Sequence, residues 1–99
     1  MGKRMQVFVV LGGCGAMGRV AVRDLFTYAR GSGIVIADFD EAGARAYAAS
    51  FRSPRVTACF ADASMPAALS RVLRGCAVVV NCTQHDFNIS VMRAALAFE

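Results

Sequence analysis

The stretch VFVVLGGCGAMG, residues 7–18, sets four glycines within seven positions directly after a five-residue apolar run. Glycine loses more conformational freedom on folding than other residues, so four together mark a place where the backbone itself is needed. Gly13, Gly15 and Gly18 stand in the spacing G-x-G-x-x-G, with Gly12 left over as the exit from the apolar run. What such a loop does depends on whether a strand precedes it and a helix follows.

Short, β-branched apolar runs recur along the chain: MQVFVVL (5–11), GIVIAD (33–38), RVTACF (55–60) and AVVVNCT (77–83). Apolar residues on consecutive positions are the pattern of strands covered on both faces, which predicts a four-stranded parallel sheet. Between these runs apolar residues recur at intervals of three and four. Met17, Val20, Ala21 and Leu25 form the first stripe, Ala44, Tyr47, Ala48 and Phe51 the second, Met65, Leu69, Val72 and Leu73 the third, and Ile89, Met92 and Leu96 the fourth. Each stripe predicts a helix laid on the sheet. Asp40 is placed to cap the second helix, Ser64 the third with Pro66 in its first turn, and Asp86 or Asn88 the fourth; Gly75 takes the left-handed position after the third. Strand and helix alternating in this way predict an α/β fold, a Rossmann-type doubly wound parallel sheet in three layers, α/β/α.

The glycine loop then sits between the first strand and the first helix, the context in which it is expected to bind a dinucleotide rather than to be only a glycine-rich turn. Gly13 is expected to make the tight turn, Gly15 to let a pyrophosphate approach the main chain, and Gly18 to let helix and strand pack closely. The unpaired amides and dipole of the helix N-terminus attract the phosphates without a lysine. The second strand ends in Asp38, 20 residues beyond Gly18. An acid at that interval accepts hydrogen bonds from the adenosine ribose, although it can also cap a strand end. Asp38 repels a ribose phosphate and Phe39 beside it supplies no cation, so NAD is expected in preference to NADP unless Arg19 or Arg45 swings in. In FADAS (60–64), Asp62 and the Ala63 amide are placed for the adenine, or Asp62 or Ser64 caps the third helix. Asn81, Cys82 and Thr83 follow the fourth strand near the switch point, where small polar groups meet the nicotinamide half; Cys82 reads equally as a packing residue.

The bulk properties narrow the class further. A content of 57% hydrophobic and 18% charged residues excludes a disordered chain, and 99 residues suit one core. The net charge is +4, yet the arginines are scattered from Arg4 to Arg93 with no interleaved aromatics. That predicts solvated helix faces and no nucleic-acid partner. Cys14, Cys59, Cys76 and Cys82 lack C-x-x-C spacing and His85 has no metal-ligand partner at a standard interval, which predicts reduced thiols, a cytoplasmic chain and no metal. His85 reads as a surface or capping residue rather than a catalytic one. The first apolar run is shorter than the roughly 7 residues of a signal-peptide core. Gln6 stands where a myristoylation signal has Ser or Thr, and no segment reaches membrane-spanning length, so no membrane partner is expected.

VFVVLGGCGAMGRVAVRDL, IVIADFDEAGARAYA, the DAS turn and VVVNCTQHDFNISVMRAAL together resemble the N-terminal domain of saccharopine dehydrogenase-like oxidoreductases, including lysine 6-dehydrogenases. The resemblance runs from Gln6 to about Leu96. It implies an NAD(P)-dependent oxidation at the carbon bearing an amine, in saccharopine, lysine or a related amino acid. It implies that Gly13, Gly15, Ala16, Met17 and Gly18 form the phosphate loop, Asp38 the ribose acid, Asp62 and Ala63 the adenine turn, and Asn81, Cys82 and Thr83 the nicotinamide side. The segment TQHD departs from the family, where many members have a proline-containing turn. The full form of such a sheet has about six strands. Residues 1–99 are therefore expected to be the N-terminal fragment of a longer oxidoreductase, cut after the fourth strand and its helix, with substrate and catalytic residues beyond it. An apolar edge left for further strands predicts self-association, a homodimer included. The alternative is an NAD-sensing regulatory domain of the potassium-uptake type, which shares the glycine loop, the acid and the D-A turn; NCTQHDFN favours the enzyme.

Overall fold

The computed structural model describes residues 6–83. The fourth helical stripe, His85, Asp86 and Asn88 lie outside the described residues. The chain order is β1 (Val7–Leu11), α1 (Ala16–Tyr28), β2 (Gly33–Asp38), α2 (Glu41–Ser50), β3 (Val56–Phe60), α3 (Pro66–Leu73) and β4 (Val78–Asn81). The strands are parallel in the order β3-β2-β1-β4. Leu11 stands opposite Ala37 and Asn81, and Asp38 opposite Phe60, so all four strands end along one line. The order reverses at β1, with β2 and β3 on one side and β4 on the other. Doubly wound sheets bind ligands at the carboxyl end of such a switch point.

Successive side chains of a strand point to opposite faces, so the apolar runs feed two cores. Val9, Leu11 and Ala37 face α3, where Leu69 and Leu73 close over them. Val10, Ile34 and Ile36 face the other way, against Val22 of α1 and Ala44 and Ala48 of α2. The three layers are α1 and α2, the sheet, and α3.

α1 keeps Ala21 and Leu25 of its predicted stripe on the core and turns Met17 and Val20 outward. Met17 is 76% and Val20 61% exposed, whereas Gly18 and Val22 are buried, with Ala21, Leu25 and Phe26 packed beside Val22. A Cβ on Gly18 would run into the Gly12 carbonyl oxygen and come within 2.6 Å of Gly13 Cα. Only a glycine fits there, so position 18 must face the loop, and the 3.6-residue period then turns 17 and 20 outward. Close approach, not hydrophobicity, sets the rotation.

The caps divide. Asp40 Oδ1 accepts from the Gly43 amide at 3.0 Å and caps α2, and Gly75 follows α3 with φ +77°. Ser64 does not cap α3; Met65 occupies the N-cap, with Pro66 in the first turn. The Ser64 hydroxyl lies one residue before that cap and donates to Asp62 Oδ1.

Arg55 also departs from the solvated faces expected of the arginines. Its Nε donates to the Ser32 carbonyl at 2.8 Å, Nη2 to that of Ala29 at 3.1 Å, and both terminal nitrogens reach Phe26 O at 3.4 Å. The guanidinium lies 4.6 Å from the Phe26 ring centroid. It satisfies carbonyls at the C-terminal end of α1, which lack helical partners, and ties them to the start of β3.

Three substitutions have expected stability outcomes in urea unfolding. Gly18→Ala costs on the order of 3 kcal/mol because backbone on backbone cannot yield. Gly31→Ala, where φ is +81° and nothing lies within 4 Å, costs only the backbone strain of about 1–2 kcal/mol. Equal losses at the two sites would disprove the tight contact at Gly18. Arg55→Met keeps the apolar stem and loses the donors, for an expected loss of about 1.5–3 kcal/mol; an unchanged midpoint would show that water replaces them.

Candidate functional site

The site is built at the end of β1. Gly12 leaves the strand with φ +74°, and its amide donates to the Ala37 carbonyl at 2.8 Å. The left-handed turn is therefore at Gly12, not at Gly13 as the fingerprint spacing suggests. A Cβ on Gly12 would also come within 2.9 Å of the Cys82 carbonyl oxygen. Gly13 is required by a different constraint, since a Cβ there would stand 2.8 Å from Ile36 Cγ2.

Gly15 is the N-cap of α1, its amide bonded to the Gly12 carbonyl at 3.1 Å. A Cβ at Gly15 would meet one atom, at 3.5 Å, so the backbone there is open. No side chain caps α1 and its first turn holds no acid. The amides of Ala16, Met17 and Gly18 have no carbonyl within the helix to receive them, and the dipole adds positive potential. A turn of this kind can receive an anion.

Asp38 ends β2 half-buried and organises the corner. Its Oδ2 accepts from the Cys14 amide at 3.1 Å and its Oδ1 from the Asp40 amide at 2.9 Å. Arg19 Nε donates to the Cys14 carbonyl at 2.8 Å, so the loop residue is gripped from both sides. The Arg19 guanidinium lies 4.3 Å from the Tyr47 ring centroid, and the Tyr47 hydroxyl donates to the Arg19 carbonyl at 2.9 Å. This links the start of α1 to α2. Arg45 is paired with Glu41 on α2. The Cys14 thiol is pushed up to about 11, first by burial and then by the charges of Asp38 and Asp40, so it stays protonated at neutral pH.

Phe39 is 69% exposed, its ring 5.5 Å from that of Phe60. Asp62 Oδ1 accepts from the Ser64 amide at 3.0 Å and from its hydroxyl at 2.6 Å, and these bonds hold the carboxyl below its ordinary range. On the far side Thr83 donates through its amide to Asn81 Oδ1 at 3.0 Å, and the Cys82 amide donates to the Leu11 carbonyl at 2.8 Å. Burial raises the Cys82 thiol, which packs beside the core under α1 and α2.

These parts surround an open cleft of about 570 Å³, a size that suits a small-molecule ligand. It gathers Gly15, Asp38 and Phe39 from one side and Asp62, Ala63, Cys82 and Thr83 from the others. Gly13, Ala16, Met17, Gly18 and Asn81 are not on its wall. Leu11, Gly12, Ala37 and Ala61 line it and were not marked by the sequence. The GG doublet after a strand was the available signal for Gly12; the other three look like core residues. Among the described residues no three His, Cys, Asp or Glu side chains converge to hold a metal ion, and no helix is long and apolar enough to cross a membrane.

Solved structures share this architecture. A short-chain dehydrogenase/reductase, glucose/ribitol dehydrogenase, from Brucella melitensis superposes with TM-score 0.74 at 24% identity, over 94% of this chain and 52% of that one. The 3-hydroxyacyl-CoA dehydrogenase type-2 of Mycobacterium avium gives 0.75 at 19%, over 93% and 48%. A short-chain dehydrogenase/reductase from Veillonella parvula gives 0.75 at 16%, over 96% and 44%. At these identities the likeness is one of fold, and the chain spans about half the length of the structures it matches. The family model described as "Saccharopine dehydrogenase NADP binding domain" matches residues 8–98. With nearly its whole length inside that match, the chain belongs to the saccharopine dehydrogenase NADP-binding domain family, and is an NAD(P)-binding Rossmann domain of oxidoreductases.

Proposed function

We propose that this chain is the cofactor-binding part of an oxidoreductase of the saccharopine or lysine dehydrogenase type, and that it takes NAD in preference to NADP. The observation that carries the reading is the seat of Asp38 at the cleft, its carboxylate fixed by the Cys14 and Asp40 amides. The first-turn amides after Gly13 and Gly15, those of Ala16, Met17 and Gly18, hold the pyrophosphate. Asp38 accepts from the adenosine ribose, with Phe39 as the wall beside it. Asp62 and Ala63 take the adenine edge, and Asn81, Cys82 and Thr83 flank the nicotinamide half.

The family's description carries NADP; the NAD preference proposed here rests on the Asp38 carboxylate and on Phe39 beside it, which supplies no cation, while Arg19 keeps its charge at the Cys14 carbonyl of the same corner. Arg45 is paired with Glu41, and Arg19 is bound to the Cys14 carbonyl and stacked on Tyr47. When bound, the cofactor would supply a hydride acceptor for the carbon that bears the substrate's amine, and Asn81, Cys82 and Thr83 would hold its nicotinamide half. An amino-acid substrate, catalytic residues outside 1–99, a cytoplasmic setting and a homodimer complete the reading for the whole protein.

Calorimetric titration of NAD and NADP into the wild-type chain and Asp38→Ala tests it. NAD is expected to bind more tightly, and the variant to lose about 1–3 kcal/mol of that binding, the cost of stranding ribose hydroxyls. Tighter NADP binding by the wild type would reverse the assigned preference. Absence of binding by either nucleotide to folded protein would remove the chain as a cofactor site.

A further inference from the structure

Cys14 and Gly15 share the peptide that leads into the open amides of α1, and both ends of that peptide are bonded. The Gly15 amide donates to the Gly12 carbonyl at 3.1 Å, and the Cys14 carbonyl accepts from Arg19 Nε at 2.8 Å. In a planar trans peptide the N–H and C=O point in opposite directions, so fixing the carbonyl also fixes the amide. Gly15 tolerates either hand of φ, which lets this peptide turn over at little steric cost. Turned over, it would present a carbonyl oxygen where the N–H now stands, beside the helix N-terminus, and would repel an anion there.

Arg19 is exposed, and a long exposed side chain loses rotamer freedom when it is held to one acceptor. The hold on it comes from α2. The Tyr47 ring centroid lies 4.3 Å from the Arg19 guanidinium, and the Tyr47 hydroxyl donates to the Arg19 carbonyl at 2.9 Å, across 28 residues of chain. Tyr47 is itself anchored, with its ring 5.1 Å from that of Phe51 and packed against the core under α1 and α2. It does not line the cleft. We propose that Tyr47 is a positioning residue of the dinucleotide site: through Arg19 it locks the Cys14–Gly15 peptide in the orientation that leaves the first amides of α1 open to the pyrophosphate. The inference rests on the reading of that turn as the pyrophosphate seat, and it adds a side chain of α2 that touches no ligand and carries no charge. Its effect is to settle the loop before the ligand arrives.

The test separates positioning from general stability. Tyr47→Leu removes the ring and the hydroxyl, Tyr47→Phe the hydroxyl alone, and neither changes a charge, so the attraction of Arg19 for phosphates is kept in both. Phe51→Leu is the structural control, because Phe51 stacks on Tyr47 and Phe26 and takes no part in the chain from Tyr47 through Arg19 to Cys14. Each variant is titrated with NAD and with ADP, which carries the same diphosphate. In parallel, hydrogen exchange of peptides covering Gly12 to Ala16 is followed in the nucleotide-free chain, together with the urea midpoint. In Tyr47→Leu both affinities are expected to fall roughly five- to tenfold with faster exchange in the loop, and in Tyr47→Phe, which keeps the stacked ring, roughly two- to threefold. Phe51→Leu is expected to lower the midpoint while leaving both affinities within about twofold of the wild type. An equal loss of affinity in Phe51→Leu and Tyr47→Leu would overturn the proposal, since the effect would then be one of stability. Faster loop exchange in Tyr47→Leu with NAD and ADP bound as tightly as before would remove this inference and leave the cofactor reading standing. If the wild type binds neither nucleotide, the cofactor reading falls and this inference falls with it.

Discussion

The contact between Gly18 and the Gly12 carbonyl is the constraint on which the rest of the molecule turns. With no side chain at position 18, the first turn of α1 settles onto the loop that leaves β1. That contact fixes the rotation of α1, and the rotation selects Val22, Ala21 and Leu25 as the face that meets the sheet. It also brings the helix to the carboxyl ends of the strands, with Gly15 open on the cleft. One steric requirement therefore serves packing and ligand approach together, and neither could be relaxed without the other.

Asp38 extends that order to the second strand. Its two oxygens receive the Cys14 and Asp40 amides, so the glycine loop and the start of α2 are referred to one carboxylate. A carboxylate has about four acceptor directions, and two such bonds leave it capacity for ligand hydroxyls. Arg19 grips the opposite side of Cys14 and is itself held by Tyr47, which brings α2 into the same assembly. The ligand meets a loop whose shape is set beforehand, which lowers the ordering cost of binding.

The strands were legible because a parallel sheet buried on both faces needs uninterrupted apolar runs, and this chain has four. Asp38 was legible because its interval from the glycine loop follows from the length of one helix and one strand. The rotation of α1 was not: Met17 and Val20 carry a stronger apolar signal than Gly18, and only the three-dimensional approach of Gly12 shows which wins. Gly12, expected only as the strand exit, also takes the turn expected of Gly13, because spacing alone does not say which of two adjacent glycines takes the positive φ. Arg55 looked like one more surface cation, since carbonyls left open by α1 are invisible before α1 and β3 are set side by side. Ser64 falls short of the capping position because α3 begins one residue later, with Met65 at its N-cap, while the Ser64 hydroxyl donates to Asp62. In the corner formed by Cys14, Arg19 and Tyr47, the contacts that bring in Tyr47 are distant in sequence.

Ala37, Ala61 and Ala63 belong both to the core beneath α3 and to the lining of the cleft. The same three methyl groups are roof to one and floor to the other. The volume offered to a ligand and the cohesion of the domain are therefore one quantity at these positions, and a larger side chain would shrink the first while straining the second. Divergence toward a new ligand has to proceed along the rim, through Phe39, Asp62 and Thr83, while the floor stays small and aliphatic for reasons of folding alone.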